Sequence, residues 1–253
     1  MHIPDGYLSP ATCMVFGAVM IPIWATASRA VKKTLSARQV PYLAIGAAFS
    51  FVIMMFNLPI PGGSSGHAVG GVLVAILLGP WAACIAVTVA LVIQALLFGD
   101  GGITAIGANC FNMAFVLPFV GYYVYKFISS GSPSGSRRRV IAAGTGAYVG
   151  ICAAALFAGI EFGLQPLLYH TANGQALYCP YGLKVAIPAM LFGHLLFIGW
   201  VEVIVTALVV KYLQKQDAVF LKEADHDADQ KIMDRNWCFN CTLTSGADCS
   251  GPF

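Results

Sequence analysis

The chain has 253 residues, 58% of them hydrophobic and only 10% charged, with a formal net charge of +3 and a mean hydropathy of +0.76. That is more apolar surface than a soluble domain of this length buries, so lipid has to be its solvent. The 14 Lys and Arg gather in a few loops, a pattern that sets membrane orientation and argues against a nucleic-acid-binding face.

Residues 1–10 read as a separate amino-terminal segment. Pro4, Asp5 and Pro10, with no positive charge ahead of the first apolar stretch, do not make a secretory signal. His2 is too large a second residue for methionine removal, so Met1 is expected to keep a free α-amine. A histidine at position two puts three nitrogens in one short chelate: the Met1 amine, the His2 backbone amide once deprotonated, and the His2 imidazole. Fused rings of this kind favour a planar nitrogen field, which suits Ni(II) or Cu(II) better than tetrahedral Zn(II) and leaves one position open. The bland alternative is an exposed terminal histidine with no ligand role.

Apolar stretches long enough to span a bilayer run from Ala11 to Ala30, Pro80 to Phe98, Ile103 to Phe127, Val140 to Leu164 and Val185 to Tyr212. Two shorter ones, Val40 to Phe56 and His67 to Leu78, flank the turn-rich loop from Asn57 to Gly66. The second crosses untilted hydrocarbon only if Gly66 and the preceding turn enter the membrane with it. His67 stands at the head of that segment, where irregular backbone is tolerated only if it is buried in protein or lines a cavity, and an intramembrane histidine is a functional-site candidate. It can supply the fourth nitrogen, with Gly62, Gly63 and Gly66 allowing close backbone approach. Its bland alternative is a cavity-facing histidine bonded to a carbonyl.

Seven spans place Arg29, Lys32, Lys33 and Arg38, then Lys126 and Arg137 to Arg139, then Lys211, Lys215, Lys222, Lys231 and Arg235 on one side, with Lys184 alone on the other. The fold class expected is therefore all-α: a polytopic membrane bundle of about seven spanning helices over residues 11–213, amino terminus outside and carboxyl terminus in the cytoplasm. Six spans would split the basic loops between the two sides.

The run Ser129 to Ser136 reads as a flexible connector. Residues 214–253 read as a polar, largely disordered cytoplasmic tail. Its Cys238, Cys241 and Cys249 make only a weak zinc pattern, while Cys13, Cys84, Cys110 and Cys152 lie in apolar segments and read as small hydrophobes. Gln94, Asp100, Asn109, Asn112, Glu161, Gln165, His194 and Glu202 are polar at membrane depth, where such groups usually bond one another across the bundle. His194 and Glu202 share one face of the last span and either line a path or pair with neighbouring helices.

Met1 to Leu8, Gly62 to Ala68, Phe98 to Gly102 and Gly107 to Ala114 together resemble the NikM/CbiM family, the substrate-binding membrane components of energy-coupling-factor transporters for nickel and cobalt. The resemblance covers residues 1 to about 213. It implies that the Met1 amine, the His2 amide and imidazole, and the His67 imidazole hold the metal in a square plane. It also implies a transmembrane coupling subunit, cytoplasmic ATPase subunits and often a small accessory membrane subunit as partners, in the cell inner (plasma) membrane. The chain would then have no ATPase of its own, and it contains no Gly-x-x-x-x-Gly-Lys-Ser/Thr loop. Pro4 to Tyr7 and the Gly-Ser-Ser-Gly-His loop look closer to the nickel branch than to the cobalt branch, so Ni2+ is the expected cargo and Co2+ the alternative. Two competitors stand beside this reading. One is an intramembrane serine hydrolase built on Ser64 or Ser65 with His194; the other is a simple channel.

Overall fold

The computed structural model describes residues 1–36, 39–60 and 64–215. Arg38, Gly62, Gly63 and the basic, acidic and cysteine residues beyond 215 lie outside them. Seven helices run through the described residues: α1 (Pro10–Thr34), α2 (Val40–Met54), α3 (Gly71–Leu78), α4 (Pro80–Phe98), α5 (Ile106–Ser129), α6 (Arg137–Leu168) and α7 (Leu183–Lys215). Five of these, α1 and α4 to α7, are long and apolar enough to cross a membrane. A short antiparallel hairpin, β1 (Leu58–Ile60) with β2 (Ser64–Gly66), is added to the helical bundle between α2 and α3.

The helix starts follow their local chemistry. Ser9 caps α1, its Oγ accepting from Thr12 N at 3.1 Å, and Pro10 occupies the first turn, where its missing N–H costs nothing. Ser136 caps α6 in the same way through Arg139 N at 3.4 Å. Along α6, small residues let α5 approach backbone to backbone: a Cβ on Gly146 would sit 2.5 Å from the Gly121 carbonyl oxygen. Such contacts replace the hydrophobic effect as glue between helices in lipid.

The outside of the bundle is apolar, with Phe127 and Phe56 84% and 76% exposed, while Gln94, Asn112, Gln165, His194, Glu202 and Thr206 are buried inside. A soluble protein distributes these classes the other way. Of the cysteines placed in apolar segments, Cys84 and Cys110 are buried and Cys13 and Cys152 partly so, all unpaired.

The segment expected to be helical from His67 to Leu78 is helical only from Gly71. Its eight residues rise about 12 Å, against about 30 Å of hydrocarbon, so α3 is a half-helix. Residues 67–70 reach it as irregular chain, buried throughout. Irregular backbone at this depth survives only when its polar groups find partners in the protein, and Glu202 of α7 supplies them. Its carboxylate accepts from Val69 N at 2.8 Å and Gly70 N at 2.9 Å.

The bundle has two chemically different ends. At one, Arg137 at the start of α6 and Lys211 and Lys215 at the close of α7 line a single cleft. At the other, the amino-terminal segment meets the loop between α6 and α7, where Cys179 N donates to the Tyr7 carbonyl at 3.1 Å.

Candidate metal centre

The amino-terminal segment is folded into the bundle. Met1, His2 and Ile3 are all buried, at 0%, 4% and 0% exposure, so the exposed terminal histidine is excluded. The segment is held as an extra strand is held, through its own backbone. Ile3 N donates to Asn109 Oδ1 at 2.8 Å and the Ile3 carbonyl accepts from Asn109 Nδ2 at 3.1 Å and Gly102 N at 2.8 Å. Asp5 accepts from Ile103 N, Thr104 N and the Thr104 hydroxyl. Ser9 N then donates to Gln165 Oε1 at 2.9 Å. The approach is so close that a Cβ on Gly102 would lie 2.6 Å from Asp5 N and 2.9 Å from the Pro4 carbonyl carbon. That contact explains the glycine at 102, and at Gly101, with φ +89°, a Cβ would lie 3.0 Å from His2 Cδ2.

This docking brings His2 onto His67. Their rings are stacked with centroids 4.5 Å apart and planes 29° from parallel. Each ring has one nitrogen committed and one free. His2 Nε2 is 3.2 Å from Gln94 Oε1, and His67 Nδ1 is 3.2 Å from the Ala68 carbonyl. A carbonyl oxygen only accepts, so these two nitrogens carry the protons and the lone pairs fall on His2 Nδ1 and His67 Nε2. Both of those atoms are buried without a hydrogen-bond partner. Metal-ligating histidines are oriented in this way, by donating the other ring N–H to an oxygen.

Burial also readies the donors. It lowers the Met1 amine from its ordinary 8.0 to about 4, against the pull of Asp100. For His2, burial and then the neighbouring amine charge lower it from 6.5 to about 4, opposed by Asp100 and the Gln94 hydrogen bond. Both are therefore unprotonated at neutral pH, the state that coordinates a metal.

Asp100 Oδ1 lies 3.2 Å from His2 Nδ1, without the alignment of a hydrogen bond, and Asn57 Nδ2 donates to Oδ2 at 3.0 Å. A lone pair facing a carboxylate at that distance is a place for a cation. A divalent ion bound through one deprotonated amide and neutral nitrogens keeps one positive charge, which a single carboxylate balances. His2, Asp100, Asn57, Pro59, Ser65 and Gly101 line an open cleft of about 370 Å³, so the centre is reached from the hairpin end of the bundle. Among the described residues no three His, Cys, Asp or Glu side chains converge to hold an ion; a site here has to draw on the amine and the amide.

The structure thus brings Met1, His2 and His67 together. The polar residues that sequence reasoning left open divide among supporting tasks. Gln94 orients His2, Asn109 holds Ile3, Glu202 holds the chain after His67, and Asn112 Nδ2 donates to Glu161 at 2.9 Å beneath the segment. Gln94 opens a π-helical turn from Gln94 to Phe98, and Asn109 immediately precedes another from Cys110 to Val116. Such turns re-aim side chains and recur at functional sites. Among the described residues no hydrogen bond joins Ser65 to His194, the pairing the hydrolase reading requires; the Nδ1 of His194 donates to Met190 O at 2.7 Å.

A family model described as the cobalt uptake substrate-specific transmembrane region, CbiM, matches residues 2–219. The chain belongs to this family. Within and around the CbiM family, it is 56% identical over 221 residues to the fused nickel transport protein NikMN of Rhodobacter capsulatus, covering 87% of this chain and 64% of that one. A cobalt transport protein CbiM of Lachnoclostridium phytofermentans is 41% identical over 128 residues, 50% of this chain and 51% of that one. A crystal structure of a truncated transition metal transporter superposes with a TM-score of 0.82 at 58% identity, covering 85% of this chain and 99% of the other. The chain spans just under two thirds of the length of the fused nickel relative.

Proposed function

We propose that this chain is the substrate-binding membrane component of an uptake system for Ni2+, with Co2+ as the alternative cargo. The Met1 amine, the deprotonated His2 amide, His2 Nδ1 and His67 Nε2 are its ligands. The observation that carries the reading is the pair of buried, partnerless lone pairs on His2 Nδ1 and His67 Nε2 beside a wholly buried amine. Four nitrogens from two short segments favour a planar ion, Ni(II) above Co(II). The longer and closer likeness to a nickel transport protein than to a cobalt one points the same way.

In this reading residues 1–10 are the chelating segment, 11–213 the membrane bundle and 214–253 a cytoplasmic tail. The basic cleft of Arg137, Lys211 and Lys215 faces the cytoplasm and the metal cleft faces outward in the inner (plasma) membrane. Energy comes from outside the chain, through a transmembrane coupling subunit and cytoplasmic ATPase subunits, with a small accessory membrane subunit where one is present. The ion enters past Asp100, the chelate closes on it, and partner-driven movement opens the chelate inward.

The test is nickel accumulation by cells carrying the chain with its coupling and ATPase subunits. His67→Ala should reduce uptake to background, as should omission of the ATPases. Uptake that survives loss of the ATPases would favour a channel, and uptake unaffected by His67→Ala would remove the proposed site.

A further inference from the structure

His194 is a buried imidazole that the amino-terminal chelate does not use. It is wholly inaccessible and opens the π-helical turn His194–Ile198 in the middle of α7. Its Nδ1 lies 2.7 Å from the Met190 carbonyl; that oxygen only accepts, so the proton is on Nδ1 and the lone pair on Nε2. Nε2 is buried with no partner. This is the arrangement of His67, whose Nδ1 faces the Ala68 carbonyl and whose Nε2 is bare. Buried polar atoms are seldom left unpaired, and each exception asks for an explanation.

His194 lies within electrostatic range of both His67 and the Met1 amine. It does not complete a cluster of three side-chain donors around one point, so it is not an additional ligand of the planar site in this arrangement. Along the same helix beyond it come Glu202, which holds Val69 and Gly70, and Thr206, whose buried hydroxyl also lacks a partner. The helix that clamps the chain after His67 therefore also carries a second imidazole with a bare, buried nitrogen.

A transported ion has to leave a site closed by fused chelate rings, and such rings let go slowly unless another donor takes over bond by bond. We propose that His194 is a second metal ligand, which together with His67 holds the ion after it leaves the amino-terminal chelate. In that exchange the bonds from the metal to the amine, the amide and His2 break, and a bond to His194 Nε2 forms. His67 keeps its bond, the amide nitrogen regains a proton from water, and no electron is transferred. Two imidazoles without chelate rings hold the ion more loosely, as a release stage requires. The inference rests on the uptake reading above.

The experiment compares the full chain with His194→Gln and His194→Phe, in purified form and in cells with the partner subunits. Nickel affinity and the planar nickel absorption band of the purified variants should stay within twofold of the parent, while uptake falls at least tenfold. Unchanged uptake would overturn the proposal, and so would parallel loss of affinity and uptake, which would place His194 in the primary site or in the fold. A parent protein that neither binds nor accumulates nickel would instead sink the uptake reading itself. A readout independent of transport uses Cu2+ as a paramagnetic probe in protein extended by Gly-Ser-Gly before Met1. Its electron paramagnetic resonance should report a residual centre with two imidazole nitrogens that His194→Gln removes, and absence of that centre in the extended protein would overturn the proposal.

Discussion

Gln94 Oε1 lies 3.2 Å from His2 Nε2, and this one contact decides which nitrogen of His2 is left over. With the proton on Nε2, the lone pair is on Nδ1, the nitrogen that closes a six-membered ring with the His2 amide. Replacing Gln94 with Leu should lower nickel affinity about 10- to 100-fold, the usual effect of losing such an orienting partner. Gln94→Glu keeps an acceptor and should lose less. Isothermal calorimetry on both variants is the check.

Gly102 sets how deeply the amino-terminal segment can sit. A Cβ there meets Asp5 N at 2.6 Å and the Pro4 carbonyl carbon at 2.9 Å, both backbone atoms that cannot rotate away. Gly102→Ala should displace the segment, with an overpacking cost of about 1–3 kcal/mol. A lower melting temperature in detergent and weaker nickel binding, appearing together, are the expected result.

Glu202 should matter without touching the metal. Glu202→Leu leaves the Val69 and Gly70 amides buried and unpaired, at about 1–3 kcal/mol each, and frees the chain that positions His67. Thermal stability and nickel affinity should both fall. Glu202→Gln keeps one carbonyl oxygen as acceptor and should retain part of each.

Binding should also report protons. Away from its seat the Met1 amine titrates near 8.0 and His2 near 6.5, and seated in the bundle both are lowered to about 4. Between about pH 4 and 8 the unseated segment binds more protons, so seating is strongest above pH 8 and weakens progressively as pH falls toward 4. Nickel binding additionally expels the amide proton, which by itself costs about tenfold in affinity per pH unit. Titrations at pH 8, 7 and 6 should show at least that slope; equal affinity at all three would contradict the amide ligand.

Much of this architecture was legible in the chain. The five long apolar stretches became α1 and α4 to α7, with Pro80–Phe98 at the expected bounds, because lipid leaves few alternatives to a continuous helix. The donors proposed at Met1 and His2 could be named from the chain because they adjoin in sequence. The half-helix was less so: His67 to Gly70 is as apolar and small as a helix start, and what keeps it irregular is Glu202, far along the chain. The tasks of Gln94, Asp100 and Asn109 were equally hidden. Each was visible as a polar group at membrane depth, but its partner lies about 90 to 106 positions away and no local pattern records that pairing. The π-helical turns that aim them depend on packing.

The most direct test of the central claim is a nickel titration, by calorimetry and visible absorption, of the native protein and of one with Gly-Ser-Gly added before Met1. The addition lengthens the chelate and leaves both histidines in place. The account predicts tight binding with a planar nickel band in the native protein and loss of both in the extended one. Equal binding by the two proteins would mean that the ligands lie elsewhere.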